Sequence, residues 1–149
     1  MNEGFAMRGR GSQNDEAETP GWLYAALDHE FGFTYDAAAS ALNYKYAAWT
    51  DDILSVADAE LGRVFCNPPY SNILPFVKTA LLGNCLWVFL LPAFVDKDWH
   101  RLLWESPRVT WRPFRKRIVF EYQGKPIVSK SGKPQGPFFG STLAIVRPL

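Results

Sequence analysis

Hydrophobic and polar positions along this chain switch between a period near four and a period near two, and the switches set the expected element boundaries. Leu23, Leu27 and Phe31 recur at spacing four with Ala26 beside them, the stripe of an amphipathic helix. Thr19-Pro20 reads as its start, with Thr19 as N-cap and Pro20 at the first helical position, where a missing N–H costs nothing. Gly32 is placed to end it. In "FTYDAAAS", residues 33–40, Phe33 and Tyr35 alternate with Thr34 until Asp36 interrupts. This predicts a short strand ending at Asp36 and a tight turn of alanines. Residues 41–62 are read as a short strand near 44–49, an acidic turn at Asp51-Asp52 and a mixed segment to Gly62.

"RVFC", residues 63–66, is a buried strand that stops at Asn67. Ile73, Leu74, Val77, Ala80 and Leu81 return to helical spacing, with Pro75 expected at the first helical position and Gly83 as the stop. "LWVFLL", residues 86–91, is a continuous apolar run of strand length, the mark of a strand buried on both faces. Asp96 is placed to cap a helix holding Trp99, Leu102 and Leu103, which ends at Ser106-Pro107. "VTWRPF", "RIVFEY" and "STLAIVR" follow as strands joined by Gly/Pro-rich turns. The order predicts an α/β fold with a mainly parallel sheet and late strands that pair antiparallel. Ligands of such sheets bind beyond the carboxyl ends of the strands. Asp36 and Asn67 both fall there. Residues 1–18 have no apolar period and are expected to form a disordered tail before one domain, 19–149.

The 149 residues suffice for one core. No apolar run approaches the about 20 residues of a membrane span, and the N-terminus has no secretory h-region. A cytoplasmic protein with no membrane partner is expected; its oligomeric state is not legible. Cys66 and Cys85 lie in apolar stretches and read as buried free thiols rather than metal ligands. The net charge of +1 conceals an asymmetry: residues 1–62 carry 3 Lys/Arg and 11 Asp/Glu, residues 63–149 carry 13 and 4. The basic half suits a polyanion. Within it, "RVTWRPFRKR", residues 108–117, interleaves Arg112, Arg115, Lys116 and Arg117 with Trp111 and Phe114. Phosphates attract such cations and bases stack on such rings.

The "NPPY" at 67–70 breaks a strand with two prolines and an aromatic ring. An exocyclic amine on an aromatic base is a poor nucleophile because its lone pair is delocalised. Two acceptors gripping its N–H groups would localise that pair. The Asn67 oxygen is one candidate, and the carbonyl of Pro68, with its fixed φ, is another. Pro69 stiffens the loop, and Tyr70 offers a face to a base turned out of its stack.

With "TP" at 19–20, "FGFTYDAAAS" at 31–40, "DIL" at 52–54, "CNPPYS" at 66–71, "LLPA" at 90–93, "DW" at 98–99 and "RIVF" at 117–120, the chain resembles the small phage-encoded DNA N6-adenine methyltransferases of Dam type. The resemblance implies a reduced, Rossmann-like S-adenosylmethionine-dependent methyltransferase fold. Its sheet would be mixed and mostly parallel, with helices on both faces. It implies methyl transfer from S-adenosylmethionine to adenine N6 in DNA, in a bacterial or phage-infected cytoplasm. Asn67, Pro68, Pro69 and Tyr70 would be catalytic. Thr19, Pro20, Asp36, Ala37, Ala38, Asp52 and Asn67 would line the cofactor. Trp111, Arg112, Arg115, Lys116 and Arg117 would contact DNA. Alanines stand where larger methyltransferases have a glycine-rich loop. RNA adenine or a glutamine amide would present the same planar amine, and a binding module without turnover would keep the same fold.

Overall fold

The computed structural model describes residues 17–39, 45, 53, 56 and 58–149, and its centre is a five-stranded sheet. In chain order the elements are α1 (Gly21–Phe31), β1 (Tyr35–Asp36), α2 (Asp58–Leu61), β2 (Arg63–Cys66), α3 (Leu74–Leu82), β3 (Leu86–Pro92), α4 (Asp98–Glu105), β4 (Val109–Pro113), β5 (Glu121–Tyr122), β6 (Lys125–Pro126) and β7 (Ser141–Val146). The sheet order is β1-β2-β3-β7-β4, and β5 and β6 form a separate hairpin. β1, β2 and β3 are parallel; β7 runs antiparallel between β3 and β4. Four strands therefore point one way and one opposes them, the mixed, mostly parallel arrangement expected from the sequence.

Strand alternation sorts the apolar residues onto two faces. Val64, Cys66, Trp87, Phe89, Leu91, Ala144 and Val146 join Phe76, Val77 and Ala80 of α3 and Trp99 and Leu103 of α4 in one core. Phe65, Val88, Leu90, Leu143 and Ile145 join Leu23 and Leu27 of α1 in the other. Helices cover both faces, which is why β3 carries no polar residue. Burying one Leu or Phe side chain contributes roughly 1.5–3 kcal/mol, so a polar residue within β3 would cost more than any local propensity offsets.

Element ends follow local chemistry. Gly32 adopts φ 62° at the C-terminus of α1, and its N–H donates to the Asp28 carbonyl at 2.7 Å. The Asp28 carboxylate then accepts the N–H of Phe33 at 2.8 Å, turning the chain toward β1. Gly62 has φ 70°, and a Cβ there would fall 2.5 Å from the Thr34 hydroxyl, so the approach of β1 to β2 requires glycine. Both cysteines are buried free thiols, and that of Cys85 donates to the Asp58 carbonyl at 3.2 Å.

Several boundaries differ from expectation. Pro20, with extended backbone, is itself the N-cap of α1; Thr19 precedes the cap and is buried, and no side chain caps the helix. Pro75 falls at the second position of α3, not the first, which is tolerated because N–H groups of the first turn have no intrahelical partner. α4 begins after Lys97, so Asp96 does not cap it; Asp98 is the acidic residue of its first turn. "RIVF" at 117–120 forms no strand, although Ile118 and Phe120 are buried. Apolar alternation there reports anchoring to the core, while β7 already occupies the place beside β3. The anticipated tail stops short of 18, since Glu18 is buried and paired in a β-bridge with Glu121. The readings of residues 1–16, the strand near 44–49 and the turn at Asp51-Asp52 lie outside the described residues.

Candidate active site

β1 and β2 end side by side, with Asp36 in register with Phe65, and the N–H of Ala37 donates to the Phe65 carbonyl at 3.0 Å. Beyond these ends lies a small polar cleft that opens to solvent. Asp36, Ala38 and Lys45 line it from the β1 side, Phe65 and Asn67 from β2, and Ala17, Glu18 and Thr19 from the segment entering α1. Strand ends separated by 30 residues of sequence thus meet at one polar hollow, the general location of ligands in open α/β sheets.

Asp36 is 3% exposed. The backbone N–H of Lys45 donates to its Oδ2 at 2.7 Å, and the Ala38 backbone also bonds to it. Burial nevertheless dominates and pushes its pKa up to about 6. Burial, reinforced by the nearby Asp36 charge, also holds the Cys66 thiol well above its ordinary value, so this thiol is inert.

Asn67 occupies the rim. Its Nδ2 donates to the Ala17 carbonyl at 3.1 Å, which fixes the sense of the amide. Among the described residues none donates to its Oδ1. In the following loop the Pro69 carbonyl accepts the N–H of Asn72 at 2.9 Å, closing a turn. The Pro68 carbonyl has no such partner among the described residues. Among the described residues one side-chain and one backbone acceptor of the loop thus have no donor, with two residues between strand end and turn.

Tyr70 is partly buried. Its ring meets Phe139 edge-on at 5.6 Å and Phe120 at 6.3 Å. Its hydroxyl is buried, and burial raises its pKa far above the ordinary value. Tyr70 therefore offers no phenolic oxygen to solvent.

The remaining sequence candidates divide. Thr19 and Ala38 line the cleft with Asp36, whereas Ala37 is packed in the core and offers only backbone there. Pro20 is buried at the start of α1. Asp52 lies outside the described residues. Trp111 and Arg112 do not share a surface, because neighbours on a strand face opposite sides. Trp111 stacks on His100 of α4 at 4.7 Å. Arg112 crosses to α1, donating from Nη1 and Nη2 to the two carboxylate oxygens of Glu30 at 2.7 and 2.6 Å, with its guanidinium over Phe31. That fork holds the Glu30 carboxyl below its usual range. Arg115, Lys116 and Arg117 are exposed just past the end of β4. They lie at the same carboxyl end of the sheet as Asp36 and Asn67, because Pro92 and Pro113 both pair near the start of β7, although β4 and β1 are its two opposite edge strands.

Glu18, Lys45 and Phe65 line the cleft without having been singled out by sequence. Glu18 sits in a stretch that reads as polar tail. Lys45 reaches Asp36 through its backbone, which no side-chain pattern reports. Phe65 looks like any strand residue.

A mixed α/β sheet carries a polar cleft at its strand ends, with Asn67, the first residue of the Asn-Pro-Pro-Tyr loop, on its rim. The family model for DNA N-6-adenine-methyltransferase (Dam) matches residues 8–149, and the chain belongs to this family. Membership makes it a methyltransferase of the class that methylates adenine N6 in DNA. No curated protein matches the chain. No helix among the described residues is long and apolar enough to cross a membrane.

Proposed function

We propose that the cleft at the ends of β1 and β2 holds S-adenosylmethionine and that the loop from Asn67 to Tyr70 holds the adenine that is methylated. The cofactor supplies an electrophilic methyl group on a sulfonium sulfur. The donor set fits such a ligand: the buried Asp36 carboxylate has backbone N–H partners and no side-chain ion pair among the described residues. A cationic ligand would offset the cost of burying this charge. Thr19 offers a hydroxyl.

Asn67 Oδ1 and the Pro68 carbonyl accept the two N–H groups of the adenine amine. These bonds draw electron density back onto nitrogen and aim its lone pair into the cleft. The two prolines keep the acceptors from rotating away, which lowers the entropy lost in alignment. The Tyr70 ring receives a base turned out of the duplex, at roughly 1–3 kcal/mol per stacked base. The methylated amine is strongly acidic and yields its proton to solvent, so no side chain need act as base. Arg115, Lys116 and Arg117 take phosphates at the same carboxyl end of the sheet.

The observation that carries this reading is the Asn67 amide held by Ala17 at the rim, with no donor to its oxygen among the described residues. Incubating the protein with methyl-labelled cofactor and, separately, DNA, RNA and a glutamine-containing peptide tests it. Label in DNA alone is the expected result; label in RNA or peptide alone would reassign the acceptor, and none in any would leave a binding module.

A further inference from the structure

Residues 17–19 form a strap that touches three parts of the molecule in three consecutive positions. The Ala17 carbonyl accepts from Asn67 Nδ2 at 3.1 Å. Thr19 is buried and lines the cleft. Between them, Glu18 is tied to the β5–β6 hairpin by three hydrogen bonds. Its N–H donates to the Glu121 carbonyl at 2.6 Å, its carbonyl accepts the N–H of Glu121 at 2.9 Å, and its Oε1 accepts the N–H of Gly124 at 2.8 Å. Gly124 belongs to the hairpin turn, where Gln123 has φ 53° and Gly124 φ 77°. Two successive left-handed residues make a tight turn that fits the twist of the strands, so the N–H that Glu18 receives has a set direction.

We infer that Glu18 is a positioning residue for the amine-holding site, tying the β5–β6 turn to the strap whose Ala17 carbonyl sets the Asn67 amide. This rests on the role proposed above for Asn67. The logic is one of degrees of freedom. An asparagine amide can flip, exchanging donor and acceptor with little change in shape. Only an acceptor held in place opposite Nδ2 keeps Oδ1 turned outward. Ala17 is the third residue before Pro20 and belongs to no helix or sheet strand of its own. Its backbone direction is set by the bonds of Glu18 to the hairpin, while its side chain packs against the α1-side core. The hairpin is itself fixed to the core by Phe120 and Ile127 on either side of it, and Phe120 also meets the Tyr70 ring. The turn, the strap and both ends of the Asn67–Tyr70 loop are thereby one mechanical unit.

Two variants separate this role from a purely structural one. Glu18→Gln keeps an oxygen that accepts the Gly124 N–H; Glu18→Ala does not. In the protein without DNA or cofactor, NMR reads the solvent exchange of the Asn67 side-chain NH₂ protons. Exchange is expected at least about fivefold faster in Glu18→Ala and near the parent rate in Glu18→Gln. In the transfer assay at saturating DNA and cofactor, kcat is expected to fall about tenfold or more in Glu18→Ala and to recover within about threefold in Glu18→Gln. Should Glu18→Ala fail to fold, Gly124→Ala loosens the tie from the other side. A Cβ there meets nothing within 4 Å, so its effect comes from the left-handed backbone alone. It should also speed Asn67 exchange. Unchanged exchange in Glu18→Ala and Gly124→Ala would overturn the inference, as would a Glu18→Gln variant as impaired as Glu18→Ala. If the exchange effect appears but the parent protein methylates nothing, the mechanical tie stands and the amine-holding role of Asn67 falls.

Discussion

Asn67 Nδ2 and the Ala17 carbonyl meet at 3.1 Å across 50 positions of sequence. One residue stands at the end of a central strand, the other at the entry to the first helix. The bond turns a flexible amide into a directional acceptor at the rim of the cleft, and the chemistry proposed for the site depends on that direction.

Asp36 should make the ligand-free protein less stable as pH rises. Its folded pKa of about 6 lies above the ordinary 3.8. Between those values the folded state holds the proton more tightly than the unfolded chain. Stability from this group therefore falls from about pH 4 to about pH 6 and is level above. The shift corresponds to roughly 1–3 kcal/mol. Asp36→Asn should remove this loss, so urea unfolding at pH 7 should find the variant more stable than the parent, while calorimetry finds cofactor affinity weakened about tenfold or more. A variant less stable at pH 7 would show that the carboxylate is satisfied without a ligand.

The cations past β4 should behave differently from Arg112. Neutralising Arg115, Lys116 and Arg117 together should weaken DNA binding and flatten the dependence of log K on log salt by up to about 3 units, from roughly 0.9 per phosphate contact. Arg112→Gln breaks the fork on Glu30 and should leave the salt slope unchanged. Equal slopes for all variants would remove the patch from the DNA surface.

For Tyr70 the ring and not the hydroxyl is the functional part. Tyr70→Phe should retain transfer within a few fold. Tyr70→Leu should lose about 10- to 100-fold, the scale of one stacked base. A Tyr70→Phe variant as impaired as Tyr70→Leu, each folded by circular dichroism, would assign the role to the oxygen.

Much of the frame is legible from residues alone. The unbroken run at 86–91 gives the central strand because only a strand covered on both faces needs no polar position. Gly32 and Gly83 close their helices where the apolar period stops. Asp36 and Asn67 are recognisable as polar residues ending apolar strands, and both reach the cleft. Glu18 is not recognisable, because its role comes from a bond to Gly124, 106 positions away, and local composition carries no trace of such a contact. Residues 108–117 teach a different lesson. The cations and rings are plain in the sequence, yet the period of two that makes them a strand also sends Trp111 to α4 and Arg112 to α1. Composition identified a basic stretch; only the pleat decides which of its members share a face.

The central claim is that Asn67 holds the adenine amine, and Asn67→Ala tests it most directly. The parent and variant are incubated with DNA and methyl-labelled cofactor, and the DNA is digested and resolved into nucleosides. The account predicts label in N6-methyladenine with the parent and a loss of at least about 100-fold with the variant, the scale of removing one preorganised polar contact. Melting temperature and cofactor affinity should stay near the parent values. A folded Asn67→Ala protein that labels N6-methyladenine at near-parent rate would contradict it.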